Sequence, residues 1–244
     1  MFALALTLSL LIGLSLGLLG GGGSILTTPI LIYALGVEIK AAIATSLLVV
    51  GITSVSGVVQ HAAAGNVEWR IGLIFGAAGM AGAFAGGLVT TWIPADALMV
   101  MFGAMMLATS LAMFRGRKEV AAAPPQPLWK VVSQGFAVGA VAGLVGAGGG
   151  FLIVPALALL GGLPIKKAVG TSLLVIAMNS FAGFAGHVAH VSIDLRLAAL
   201  VSTAAVVGSL AGSRLAGLMR PETLRRGFAV FVLVMAVFVL YQQR

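Results

Sequence analysis

Two glycine-rich breaks, with the hydroxyl, amide and basic residues that recur around them, are the parts of this sequence able to do chemistry. The first break is Gly20-Gly21-Gly22-Gly23, followed by Ser24, with Pro29 six residues beyond the last glycine. The second is Gly146-Ala147-Gly148-Gly149-Gly150, followed by Phe151, with Pro155 at the same spacing from Gly149. Successive glycines present backbone N–H groups that no side chain shields, and a run of such groups forms a concavity that holds an anion. A helix starting directly after the run adds the positive end of its dipole. Gly21, Gly22, Gly23 and Ser24, with Gly148, Gly149 and Gly150, are therefore candidate substrate-binding residues, and the half-helices after them are expected to start at Ser24 and Phe151. Close helix packing is the competing role for the same glycines.

Neutral donors come next. Thr53 and Ser54 lie near the middle of one long apolar segment, Asn179 and Ser180 near the middle of another. An asparagine at that depth is costly unless it is paired or faces a cavity. These four are candidate donors to a substrate; hydrogen bonding between helices or back to the preceding turn competes with that role. Thr45, Ser46, Thr171 and Ser172 form a second polar level, about 12 Å along the same helices. His61 and His187 lie near the segment ends, about 24 Å from Thr45 and Thr171 and too far for one compact site. They suit gating, anion attraction or proton shuttling. Lys40 and Lys166 begin the same segments and either draw anions to two mouths or snorkel to the interface. The acids Glu38, Glu68, Asp96, Glu119, Asp194 and Glu222 fall in connections or at helix starts, so a carboxylate relay at mid-membrane is missing. With no cysteine and no metal-ligand spacing, no metal, no cofactor and no enzymatic activity are expected.

The elements that position these residues are membrane helices. Of 244 residues 60% are hydrophobic and only 8% charged, against roughly a quarter charged in soluble domains. Such a chain cannot cover itself with polar surface, so its solvent is a lipid bilayer. The formal charge of +8 comes from basic residues placed singly or in pairs at segment ends, which is how topology is encoded; nucleic acid is not an expected partner. A cleaved leader is not expected, because the apolar N-terminal segment lacks a basic start.

A shift of 126 residues superimposes the chain on itself. Gly20 falls on Gly146, Pro29 on Pro155, Lys40 on Lys166, Thr45-Ser46 on Thr171-Ser172, Ser54 on Ser180, His61 on His187 and Arg70 on Arg196. Chance apolar similarity does not bring Gly, Pro, Lys, Thr-Ser, His and Arg into register, so this is an internal repeat. The expected division is a first repeat over 1–114, a linker over 115–130 rich in proline and basic residues, and a second repeat over 131–244. The fold class is an all-α polytopic membrane protein. If each glycine-bearing segment crosses fully, the halves are parallel and the 14 basic residues split seven and seven. If each turns back as a re-entrant hairpin, every half has three crossings, the halves are inverted, and the basic residues divide eleven to three. The positive-inside rule selects two inverted repeats, with the linker cytoplasmic and both termini outside.

The pair Gly-Leu-Leu-Gly-Gly-Gly-Gly-Ser…Pro and Gly-Leu-Val-Gly-Ala-Gly-Gly-Gly…Pro, each followed by Thr-Ser-Leu-Leu-Val, resembles the TauE/SafE sulfite exporter family of bacterial membrane permeases. The resemblance covers essentially the whole chain. It implies export of sulfite, sulfoacetate or a related organosulfur anion across the plasma (inner) membrane. Two inverted halves that alternate access around the glycine breaks would do this, and the resemblance leaves a channel open. A proton-coupled transporter of another small anion or metabolite, and a non-transporting membrane scaffold, also stay open, as does association of several copies. Ser24 is replaced by Gly150 in the second motif, so the halves need not bind alike. Single cysteines replacing Lys40 and Lys166 should react with impermeant thiol reagents from opposite sides of the membrane; reaction from one side only would remove the inverted arrangement.

Overall fold

The computed structural model describes residues 2–115, 127–145, 150–188 and 191–242. Among these, every regular element is helical. Helix α1 (Phe2–Leu19) is followed by a turn at Gly20 and by α2 (Gly22–Pro29). Three longer helices complete the first half: α3 (Ile39–Ala63), α4 (Trp69–Val89) and α5 (Ala95–Arg115). The second half repeats the order with α6 (Leu128–Val145), α7 (Gly150–Pro155), α8 (Ile165–His187), α9 (Leu195–Leu218) and α10 (Pro221–Gln242). Six helices are long and apolar enough to cross a membrane, namely α3, α4, α5, α8, α9 and α10. That is three per half, as the sequence led us to expect.

The chain reverses at the first glycine break. Gly20 takes a left-handed φ of 71°, open to glycine without the steric penalty of a Cβ. Past it, α2 lies back against α1: a Cβ on Gly23 would sit 2.3 Å from the Ile12 carbonyl oxygen. Each short arm then meets its proline. Pro29 and Pro155 lack the N–H that would bond the carbonyl four residues earlier. In both halves the helix rewinds at once into a π-helical turn, Ile30–Ala34 and Ala156–Leu160. The bonds Leu35 N–H to Ile30 O at 3.1 Å and Gly161 N–H to Ala156 O at 2.8 Å close these turns. Gly36 and Gly162, at φ 68° and 70°, end them in the left-handed conformation common after helices. The repeat therefore extends to individual hydrogen bonds. Acidic side chains cap two of the long helices, Glu38 onto the N–H groups of Lys40 and Ala41, and Asp194 onto those of Arg196 and Leu197.

Glycine decides how these helices pack. Helix α6 lies parallel to α4, with Gly135, Gly139 and Gly143 against Phe75, Gly79 and Ala83. Helix α1 lies parallel to α9 in the same way, Gly13 against Ala205 and Gly17 against Ser209. Each half thus lends its first helix to the other half. A Cβ on Gly139 would sit 2.0 Å from the Gly79 oxygen, and one on Gly13 1.8 Å from the Ala205 oxygen. Backbones this close bring Cα–H groups onto carbonyl oxygens. Helices α3 and α8 form the centre: 67% and 72% of their apolar stretches are buried in protein, against 35–44% in the other four spans. They run antiparallel, with Leu47 beside Gly183 and Gly57 beside Leu173. Helices α5 and α10 are antiparallel too, and the Ser110 hydroxyl donates to the Ala229 carbonyl at 2.9 Å.

This arrangement collects Arg70, Arg115, Lys130, Lys166, Lys167, Arg214, Arg220, Arg225 and Arg226 at one end of the bundle, leaving Lys40 and Arg196 at the other. At the basic end Lys167 is ion-paired with Glu68, joining the α3–α4 connection to the start of α8. The close contacts give a direct test. Gly139→Ala should lower stability by about 1–3 kcal/mol through overpacking, read as a lower melting temperature in detergent. Gly227→Ala, where a Cβ meets nothing within 4 Å, should be neutral or raise it by up to about 1 kcal/mol through helix propensity.

Candidate functional site

The starts of the two half-helices meet inside the bundle. Gly150, the first residue of α7, lies so close to the start of α2 that a Cβ on it would be 2.6 Å from Gly21 Cα and 2.9 Å from Ser24 Oγ. The half-helices begin at Gly22 and Gly150, slightly before the expected Ser24 and Phe151, because glycine already tolerates the entry into the helix. Gly21 is the N-cap of α2 and makes no side-chain capping bond. The first N–H groups of that helix have no partner within it. Ser24 is fully buried and turns its hydroxyl back to the Gly21 carbonyl at 2.7 Å. Gly23 packs on α1 rather than at the junction. Gly148 and Gly149 lie outside the described residues.

One face of α8 runs along this junction. A Cβ on Gly20 would lie 2.9 Å from Ser172 Oγ, and one on Gly150 would lie 2.7 Å from Ile176 Cδ1. Ser180 sits one turn beyond Ile176 on the same face. Ser172 donates to the Val169 carbonyl at 2.7 Å. On α3 the equivalent face carries Ser46, which accepts from Thr28 at 2.9 Å, and Ser54. The contacts between α3 and α8 step outward evenly from the level of Ile52 and Met178. Thr53 and Asn179 are therefore one residue from the centre of the crossing. Thr53 is spent on the Val49 carbonyl at 2.7 Å. Asn179 is fully buried against Gly79 of α4. Neither its oxygen nor its nitrogen has a hydrogen-bond partner among the described residues, and the same holds for the hydroxyls of Ser54 and Ser180. An unsatisfied polar group costs about 1–3 kcal/mol, so this cluster at the crossing calls for an explanation.

The expected separation of the histidines from the threonine-serine level holds only within one helix. Because α3 and α8 are antiparallel, His61 of the first half lies beside Gly170 of the second, next to Thr171 and Ser172. His61 Nε2 is 3.4 Å from the Gly17 carbonyl. Thr171 accepts from the Glu68 N–H at 2.9 Å, a structural duty. Thr45 is buried. His187 Nδ1 lies 2.9 Å from the Gly183 carbonyl. Lys40 and Lys166 stand at opposite ends, where their N-terminal positions on antiparallel helices put them.

A cavity of about 430 Å³ opens at the basic end, beside the last turns of α3 and α9 and the start of α8. Its wall includes His61 and Lys166, together with Gln60, Ser213 and Arg214. Those last three stand outside the sequence-based candidates because they have no polar counterpart in the other half. Arg214 was legible only as a charge near a helix end.

A helical bundle of six spans, with broken helices meeting at buried polar groups in its interior, is the architecture of a polytopic membrane transporter. The comparisons name its family. The sequence profile described as "Sulfite exporter TauE/SafE" matches residues 5–239, and the chain belongs to that family. A "Probable membrane transporter protein" of Xylella fastidiosa (strain Temecula1) is 34% identical over 240 residues, covering 95% of this chain and 92% of its own length. The Bacillus subtilis "Probable membrane transporter protein YdhB" is 29% identical over 221 residues, 88% of this chain and 90% of its own. A third relative of the same description, from Methanocaldococcus jannaschii, is 28% identical over 261 residues, 98% of this chain and 97% of its own. No solved structure matches the chain significantly. The chain is a membrane transporter, not an enzyme.

Asn179 separates a structural role from a functional one. Asn179→Leu should leave the melting temperature unchanged or raise it, since it removes a desolvation cost of about 1–3 kcal/mol, while transport falls at least tenfold. A large loss of stability would show that Asn179 holds the helices together.

Proposed function

We propose that this transporter moves a small organosulfur or sulfite-type anion out of the cell by alternating access of two inverted halves around the glycine junction. The observation that carries the reading is the meeting of Gly21, Ser24 and Gly150 at the uncapped start of α2, along the α8 face that bears Ser172 and Ser180. Backbone N–H groups and neutral hydroxyls suit an oxyanion. The junction carries no full positive charge, so the anion binds weakly enough to leave.

Three further observations support the details. Inversion is supported by the antiparallel packing of the equivalent helices α3 with α8 and α5 with α10. A cytoplasmic basic end, with the linker inside and the termini outside in an inner membrane, is supported by the division of Lys and Arg between the two ends. Export without a coupled proton is supported by the acids: Glu38, Glu68, Asp96, Asp194 and Glu222, those among the described residues, all sit in connections or at helix starts. A cell negative inside supplies roughly 2.3 kcal/mol per charge per 100 mV to an anion leaving it.

Proteoliposomes loaded with sulfite provide the test. Efflux should speed up when a potassium–valinomycin potential makes the lumen negative, and slow when the sign is reversed. Sulfite in the outer medium should accelerate exchange, as a carrier requires and a channel does not. Gly150→Leu, which pushes a side chain into Gly21 and Ser24, should cut flux at least tenfold in protein that still elutes as a folded species. Absence of any potential-dependent flux of sulfite or an organosulfonate would end the substrate assignment.

A further inference from the structure

The cavity at the basic end carries chemistry that the glycine junction lacks. Three side chains in its wall hold a buried polar atom without a partner among the described residues: Gln60 Nε2, His61 Nδ1 and Ser213 Oγ. His61 is 6% exposed and Ser213 8%. The amide nitrogen can only donate and the hydroxyl can donate, whereas His61, whose Nε2 faces the Gly17 carbonyl, keeps Nδ1 as an acceptor in the neutral ring. Two full cations share the wall. Lys166 gives one N–H to the Gly217 carbonyl at 3.1 Å, which leaves the ammonium two more. Arg214 brings a guanidinium whose planar fork matches an oxyanion. Among the described residues no acid lines the cavity; Glu68 and Glu222 are paired with Lys167 and Arg226. The unpaired Gln60 and Ser213 donors beside two cations, with no counter-anion among the described residues of the wall, describe a site suited to a small negative ligand.

The repeat shows that this site has one side only. At the positions equivalent to Gln60, His61, Lys166, Ser213 and Arg214 the other half carries Gly186, His187, Lys40, Gly87 and Leu88. Histidine and lysine recur. The amide, the hydroxyl and the guanidinium do not, and a leucine stands where the arginine would be. Packing of symmetric halves does not require this difference.

We infer that the cavity is a second anion site, distinct from the glycine junction, which captures a small oxyanion at the basic end before it moves inward. That the captured anion is the transported substrate rests on the function proposed above; that the cavity binds oxyanions does not. In sequence terms, Gln60, Ser213 and Arg214 would make the carrier load more readily from the basic end than from the other, a kinetic bias toward export.

Two measurements on the full-length protein test this. The first is a thermal-shift titration in detergent at matched ionic strength, with sulfite, sulfate and acetate as probes. At least one should stabilise the wild type. Arg214→Leu, which copies the residue of the opposite end, should raise the apparent Kd at least tenfold, and Arg214→Lys should recover most of the loss. Arg214 is exposed, so these variants keep the fold. The second compares inside-out with right-side-out vesicles. In Arg214→Leu the half-saturating sulfite concentration should rise about tenfold from the basic end and stay unchanged from the other. Equal binding of every probe by wild type and Arg214→Leu, or equal changes from both sides, would overturn the site. Binding that Arg214→Leu abolishes, in a protein that moves no sulfite, would keep the site and remove the transport reading.

Discussion

In hydrocarbon every backbone N–H and C=O needs a partner, because no water is there to supply one. A helix can satisfy itself; a broken helix cannot. The architecture follows from placing two broken helices inside a bilayer. The break at Gly20–Gly21 and the starts of α2 and α7 are tolerable only because protein surrounds them: α3 and α8 behind, α1 and α6 alongside, and each half-helix start against the other. Glycine serves twice, making the breaks and letting the surrounding helices come close enough to seal them. The same sealing brings the starts of α2 and α7 together at one place in the interior.

Much of this was legible in the residues. Regular spacing of Gly, Pro, Thr-Ser and His revealed the repeat, and the distribution of basic residues favoured three crossings per half over four. The division of basic residues between two ends followed from where the segments ended. What escaped was anything that depends on which helix packs on which. The π-helical turns after Pro29 and Pro155 are one case, since a missing N–H says only that the helix must change, not how. His61 is another. Along α3 it is far from the threonine-serine level, yet the antiparallel neighbour brings that level beside it. Gln60, Ser213 and Arg214 were passed over because symmetry was the guide, and these residues break it.

Symmetry and its failure divide the work. The matched residues build the frame: the turns, the caps after the π-helical segments, the crossing of α3 and α8. The unmatched ones differentiate the two ends. Lys167 pairs with Glu68 at the basic end, and its counterpart in the first half is Ala41. Ser24 has Gly150 as its counterpart, which is why two backbones and a serine hydroxyl can crowd into one junction. These substitutions make the two ends chemically different without disturbing the packing that the frame depends on.

The exchange of first helices, α1 onto α9 and α6 onto α4, makes the two repeats depend on each other. A lone repeat would leave the glycine face of its first helix bare, because the helix that fills it belongs to the other repeat. In chain order α1 comes well before α9, so its small-residue seam is filled only once the second repeat is made. In the finished molecule the packed units are composites of helices from both repeats, and the covalent midpoint of the chain marks no boundary in the packing.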